Sequence, residues 1–534
     1  MDSDKVLADN ASFEAKDFQE TNEKYSDHED SSSLDRVHHE GGKLKRRFST
    51  YSIICIGFGL TNSWLGISSS LVTGISSGGP MLTIYGILIV AMISYCVAVT
   101  LGEMSSAIPS AGGQYVWTRV LAPKKYSSFL AYICGSMSWA GAIFTSASMS
   151  AALAYQVLGF WNLLNPDRAR FDQWTYFVIY EIVTIILFFF NSWGKILPIL
   201  GNGALYVSLF SYTVILITVL VCSRGNYQSP HFVFVQFNNG TGWKSSGIAF
   251  IVGLINPAWS FSCLDSVTHL SEETSKPRTD IPKAVLSTVT IGFVTAFTYS
   301  IAMFFCVTNL EELTNSQTGM PILDIFYQAL KNRQGAVCLG FLVFLTAFGC
   351  TVACHTWQTR ICWSFARDNG LPFSKYLARV DPKLGVPINA HIFSTFWVMI
   401  CGIIFLVTTA GFNAMIVGTI TLILGSYMVF CFCLLYRGRN NIKHGPFWLG
   451  KFGYFCNIVV ILYGIFAFVF FSFPATMPVT AGDMNYFAVV FVIYVILALG
   501  YWWFPVKQWS ARVNFAGGRH GEEIEFPEVC LTDL

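Results

Sequence analysis

One apolar run of membrane length is broken in its middle. Residues 253–266 lie inside a hydrophobic stretch, yet they include Gly253, Asn256, Pro257, Ser260, Ser262 and the carboxylate Asp265. Lipid offers no partner to a freed backbone N–H or C=O, so a helix interrupted at that depth must be buried in protein or line a cavity. Secondary transporters build solute and ion sites from discontinuous helices of this kind. This stretch points away from soluble folds and towards a carrier.

The rest of the chain agrees. Of its 534 residues, 53% are hydrophobic and only 12% are charged, about half the charged share of a soluble domain. Twelve apolar segments are long enough to cross a bilayer at roughly 20 residues each. They fall near 50–74, 80–104, 127–156, 173–191, 197–222, 247–270, 285–307, 336–358, 388–409, 413–436, 452–474 and 485–505. The expected fold is an all-α integral membrane protein with twelve transmembrane helices. A polar, acidic tail over 1–48 is expected to be disordered. The transporter domain would cover 49–505 and a second tail 506–534. The first apolar stretch is expected to stay as a span rather than be cleaved as a leader.

Charge orients the chain. Lysine and arginine crowd alternate connections, with Lys124, Arg278, Lys283, Arg360, Arg367 and Arg437 among them, and flank both ends of the span region. The opposite loops hold only Arg168, Arg170, Arg224, Lys244, Lys331 and Arg333. The positive-inside rule then puts both termini in the cytoplasm. The plasma membrane is the expected location; the endoplasmic reticulum, Golgi and vacuole remain alternatives, since apolar spans do not tell them apart. Asn239 opens an Asn-Gly-Thr sequon in a predicted outer loop and is a candidate glycan acceptor.

The fifteen cysteines follow no disulfide or zinc spacing and read as small buried hydrophobes. No nucleotide loop, zinc-protease helix or nucleophile elbow appears. Neither an enzyme, a metal, a cofactor nor a nucleic-acid partner is expected.

Span one repeats the pattern of span six. Thr61, Asn62, Ser63, Trp64 and Gly66 put small and polar groups at mid-depth. An offset of five between weak spans is the mark of an inverted repeat whose broken helices meet at a central site. The predicted solute-binding set is therefore Thr61, Asn62, Ser63, Trp64 and Gly66 with Trp259, Ser260, Phe261 and Ser262. A half-helix N-terminus suits a carboxylate, and the opposing C-terminus suits an ammonium or a coupling ion. Trp259, at the interruption, suits either an occluding lid or a cation–π partner.

Three carboxylates fall within predicted spans, where each needs a partner, a proton or water. Asp265 either ties down backbone freed at the break or accepts the coupling proton. Glu103, at the end of span two, is a second proton-coupling candidate and is expected to anchor the turn at 107–115. Glu181 has no evident partner and fits a wet crevice. His355 reads as an interface histidine, with proton relay as the alternative. Ser49 follows Arg46, Arg47 and Phe48 and is a candidate phosphorylation site on an otherwise plain basic anchor.

These residues resemble a known family. Trp259, Ser260, Phe261 and Asp265, with His269, Glu272, Glu273, Pro277, Arg278, Asp280, Pro282 and Lys283, look like the sixth helix and following loop of the amino acid–polyamine–organocation superfamily. Gly102, Glu103, Pro109, Gly112, Gly113, Gln114, Tyr115 and Trp117 look like its second-helix signature, and residues 365–372 like the stretch after its eighth helix. Pro478, with residues 483–486, is similar to the fungal amino acid/choline branch, which includes choline and GABA permeases. The likeness covers about 45–510. It implies a five-plus-five inverted repeat with two additional helices, alternating access, and breaks near 62–66 and 259–264. Asp265 matches an acidic position linked to proton sensing in some relatives. Many amino acid permeases carry a glycine-rich turn where this chain has Asn62 and Trp64, which favours a choline-like or other amine. The expected function is secondary, proton-coupled import of a small nitrogenous solute such as an amino acid, choline or GABA. Thiamine or polyamine cargo, sodium coupling and a nutrient-receptor role remain alternatives.

Overall fold

Inside lipid only a helix satisfies its own backbone groups, and every long apolar run here becomes one. The computed structural model describes residues 49–503 apart from 169, 170, 315, 317, 407–409 and 481–483. Both tails lie outside the described residues. Ten helices there are long and apolar enough to cross a membrane. Span two is Gly79–Ala107, span three Ser127–Leu164, span four Gln173–Asn191, span five Leu197–Cys222 and span six Ser246–Glu273. Span seven is Pro277–Phe305, span eight Arg333–Arg367, span nine Ile388–Leu406, span ten Gly411–Arg437 and span eleven Lys451–Phe470. Two further segments complete the twelve. Span one runs as Thr50–Thr61, then Ser63–Ser69, and on to residue 77. Span twelve is the shorter Phe487–Tyr501.

Local chemistry sets the ends. The Ser49 hydroxyl accepts the Ser52 N–H at 3.2 Å and caps span one. Spans one and two meet at Gly78 and Gly79; Gly79 sits at φ 69°, ψ −145°, a conformation open to glycine. Pro80 then starts span two, where its missing N–H costs nothing. Spans three and eight run on for 38 and 35 residues, beyond the 127–156 and 336–358 expected. Neither stretch contains a stop signal before Asn165 and Pro166, or before Asn369 at φ 59°. The extension puts Arg360 and Arg367 on a helix rather than in a connection. A short helix, Gln114–Leu121, follows the turn after span two. It buries Gln114, Tyr115, Trp117, Thr118 and Leu121, a helical stripe facing the bundle.

Glu103 does not anchor the turn at 107–115. It is fully buried and receives Arg439 Nη2 at 2.8 Å and the Leu449 N–H at 2.7 Å. Arg439 also bonds Asn457 and lies over the Trp448 ring at 4.3 Å. Glu103 thus clamps the connection between spans ten and eleven onto the basic end of span two. Removing one partner of a buried pair strands the other charge, at a cost of about 3–5 kcal/mol. Glu103→Gln should therefore lower the melting temperature of the detergent-solubilised protein, and adding Arg439→Met should recover much of the loss. A melting curve unchanged by Glu103→Gln would contradict this clamp.

Candidate functional site

Span one breaks at Asn62 and is irregular again at Ser70 (φ −110°, ψ 21°). Asn62 adopts φ 34°, ψ 65°, the left-handed conformation that asparagine tolerates better than most residues. Span six breaks over 261–263, where Cys263 is left-handed at φ 64°, and continues as the 3-10 segment Leu264–Glu273. The two interruptions, near 62 and 261–263, meet face to face. A Cβ on Gly66 would lie 2.8 Å from the Ser260 Cα, so the half-helices cross almost backbone to backbone. Asn256 Nδ2 adds a bridge, donating to the Ile67 carbonyl at 3.2 Å and to Ser70 Oγ at 2.6 Å.

Between the breaks lies a cavity of about 20 Å³, room for about one water molecule. Span one lines it with Leu60, Thr61, Asn62, Leu65 and Gly66, and span six with Trp259, Ser262 and Cys263. Thr145 and Met149 from span three and Cys350 from span eight complete the wall. No lining residue is charged. Trp259 meets Phe412 edge-on at 5.8 Å.

The structure brings together only part of the predicted set. Thr61, Asn62, Gly66, Trp259 and Ser262 line the cavity. Trp64 turns away: its Nε1 donates to Ser208 Oγ in span five at 3.0 Å, and its ring packs on Tyr299 at 5.2 Å. The Asn62 amide donates to the same Ser208 at 3.0 Å, so much of its polarity holds the break rather than facing solute. Ser63 packs against Gly292 in span seven. Ser260 abuts Gly66 and bonds back to the Asn256 carbonyl at 2.9 Å. Phe261 lines a second small cavity between spans two, six, ten and eleven. Leu60, Leu65, Thr145, Met149, Cys263 and Cys350 lie outside the predicted set, because lone residues within apolar runs carry no local signal; Asn256 stands out in the sequence as part of the break, but not as a bridge to span one.

Asp265 is fully buried in a polar knot two residues past the break. Tyr427 donates to its Oδ1 at 2.6 Å and Gln114 to its Oδ2 at 2.5 Å. The Tyr427 oxygen in turn accepts the Asp265 backbone N–H at 3.3 Å. His269 closes the ring. Its Nδ1 lies 2.7 Å from the Ala111 carbonyl; a carbonyl only accepts, so Nδ1 carries a hydrogen. Its Nε2 faces Asp265 Oδ2 at 3.2 Å. That contact is attractive only with a proton between the two, on the imidazole or on the carboxyl.

Ion pairs join spans six and eight at the basic end. Glu273 meets Arg360 at 2.6 and 3.2 Å, and Glu272 meets Arg367 at 2.8 and 2.9 Å, both two-pronged. Asp368, just past span eight, accepts the Tyr115 hydroxyl at 2.8 Å; burial pushes its carboxyl up, against the pull of Arg367. The other sequence candidates stand apart from the cavity. Glu181 abuts Gly402 in span nine, His355 touches Gln358 at 3.1 Å, and exposed Asn239 accepts the Thr241 hydroxyl at 2.6 Å.

Comparison with known proteins fits this geometry. Residues 48–497 match the amino acid permease family. The chain is 53% identical over 465 residues to a choline transporter of Saccharomyces cerevisiae, covering 87% of this chain and 82% of that protein. It is 34% identical over 519 residues to the 7-keto 8-aminopelargonic acid transporter of the same yeast, covering 86% and 92%. An amino-acid permease of Arabidopsis thaliana is 29% identical over 487 residues, covering 88% and 93%.

Proposed function

This chain belongs to the amino acid permease family, a multi-pass membrane transporter of small nitrogenous solutes, and we propose that its solute is choline, imported together with a proton. The observation that carries the solute is the uncharged wall of the central cavity, with Trp259 set into it. A zwitterionic amino acid needs partners for both ends. A quaternary ammonium needs no hydrogen bonds and is held by an aromatic face and by the negative C-terminal ends of half-helices. Both half-helices that end at the breaks, Thr50–Thr61 and Ile255–Ser260, approach them C-terminus first. The 53% identity to a protein named as a choline transporter supports the same reading.

A cavity of about 20 Å³ is too small for choline, so Gly66 and Ser260 must part to admit it and close again behind it. Alternating access then consists of opening this crossing first on one face and later on the other. The ion pairs of Glu272 and Glu273 with span eight hold the basic end shut in the arrangement described. The buried contact of His269 Nε2 with Asp265 Oδ2 at 3.2 Å is a place where a coupling proton can be shared, which supports proton coupling, with sodium as the competing ion. The asymmetry of lysine and arginine supports cytoplasmic termini, and the plasma membrane is the proposed location.

Labelled choline uptake by a host stripped of its own choline transport tests the solute. Saturable uptake, blocked by unlabelled choline and not by neutral amino acids, GABA, thiamine or polyamines, is expected. Choline uptake no greater than that of the empty host, beside clear uptake of another of these solutes, would overturn the reading.

A further inference from the structure

Gln156 stands on span three, 1% exposed, with both polar atoms of its side chain buried and unpaired. No other described amide side chain leaves both atoms buried without a partner. Buried polar groups are nearly always hydrogen-bonded, and an exception calls for an explanation. Its position supplies one. Thr145 and Met149 line the central cavity from the same helix. At 3.6 residues per turn, position 156 falls on the same stripe as 149, two turns or about 10 Å further from the basic end. One turn beyond, span three meets the connection between spans seven and eight. A Cβ on Gly159 would lie 3.0 Å from Leu323 Cδ1 and 3.3 Å from the Thr318 carbonyl. Gln156 thus sits between the central cavity and this cover, on the cavity-lining stripe.

We propose that Gln156 forms an outer station of the pathway, where it holds the hydroxyl of a hydroxylated ammonium solute before that solute reaches the central cavity. This rests on the choline reading and adds a determinant to it. The amide presents two N–H donors and one carbonyl acceptor, while a hydroxyl both donates and accepts. A trimethylammonium head does neither; it can draw only on the carbonyl dipole and leaves both N–H donors unpaired. Gln156 selects for the hydroxyl end, and Trp259 receives the ammonium end once the solute reaches the central cavity.

Ethyltrimethylammonium, which is choline without its oxygen, makes the test. Choline uptake, and its inhibition by ethyltrimethylammonium, are measured for the unaltered protein, Gln156→Leu and Gln156→Asn. Gln156→Leu is expected to raise the KM for choline about tenfold, the loss of roughly one net hydrogen bond. The inhibition constant of ethyltrimethylammonium should stay within about twofold. Gln156→Asn, a shorter amide, should fall between, and it carries the test if the leucine variant fails to reach the membrane. An equal loss for both compounds, or no change for either, overturns the station. If the unaltered protein takes up no choline, the solute reading fails first, and this control shows that separately.

Discussion

A valine at position 66 abolishes choline uptake, and an alanine lowers it by about tenfold or more, the penalty of overpacking a tight crossing. The added Cβ would lie 2.8 Å from both the Cα and the Oγ of Ser260. The Ser260 Cα is backbone, so it cannot swing aside even if the Oγ rotates away. The clash exists only while the broken helices are closed on each other. An open form tolerates it, so the variants should fold and reach the membrane. Ser260→Gly removes the Cβ and Oγ, two of the three atoms within 3.0 Å of that position, and should restore part of the uptake of Gly66→Ala. Normal uptake by Gly66→Val would mean that this crossing does not close during transport.

Replacing Asp265 with asparagine flattens the dependence of uptake on external pH. The unaltered protein should import choline faster as external pH falls, because each cycle needs a proton on the Asp265–His269 pair. The Asp265→Asn variant would keep the local geometry. The new amide oxygen accepts from Tyr427, and the amide nitrogen donates to His269 Nε2, as a protonated carboxyl would. Gln114, which now donates to Oδ2, must turn its amide so that its unpaired carbonyl accepts from the new nitrogen; the network is then satisfied, yet the proton can no longer leave. A fall of about tenfold in rate is expected, ~1.4 kcal/mol in the barrier, together with loss of the pH response. His269→Gln should blunt the same response, since it removes the base that shares the proton. A pH profile for Asp265→Asn that parallels the original would assign coupling elsewhere, and a sodium requirement would then be the first alternative to measure.

The spans and their breaks were legible because each is a local property. Apolar length gives a crossing, and Asn62, Pro257 and Asp265 mark where it fails. Side-chain direction was not legible. Trp64 stands two residues past the break, which places it near solute on sequence alone. Its partner Ser208 lies in span five, and only the packed bundle decides which way the ring turns. Asp265 was readable as a buried acid, while Gln114 and Tyr427 come from distant parts of the chain. His269 is the exception: four residues after Asp265, it lies about one turn on, and that spacing could have flagged the pair. Glu103 was placed at the correct end of span two but with the wrong partner, since nothing near it announces Arg439. The 3-10 form of Leu264–Glu273 likewise depends on what packs around it rather than on propensity.

The most direct test is choline flux through the purified protein in sealed lipid vesicles, with an inward proton gradient imposed and sodium absent. The account predicts accumulation of choline above its external concentration, collapse of that gradient on adding a protonophore, and no accumulation by Gly66→Val. Vesicles that hold choline only at the external level whatever the proton gradient, or that need sodium to accumulate it, would contradict it.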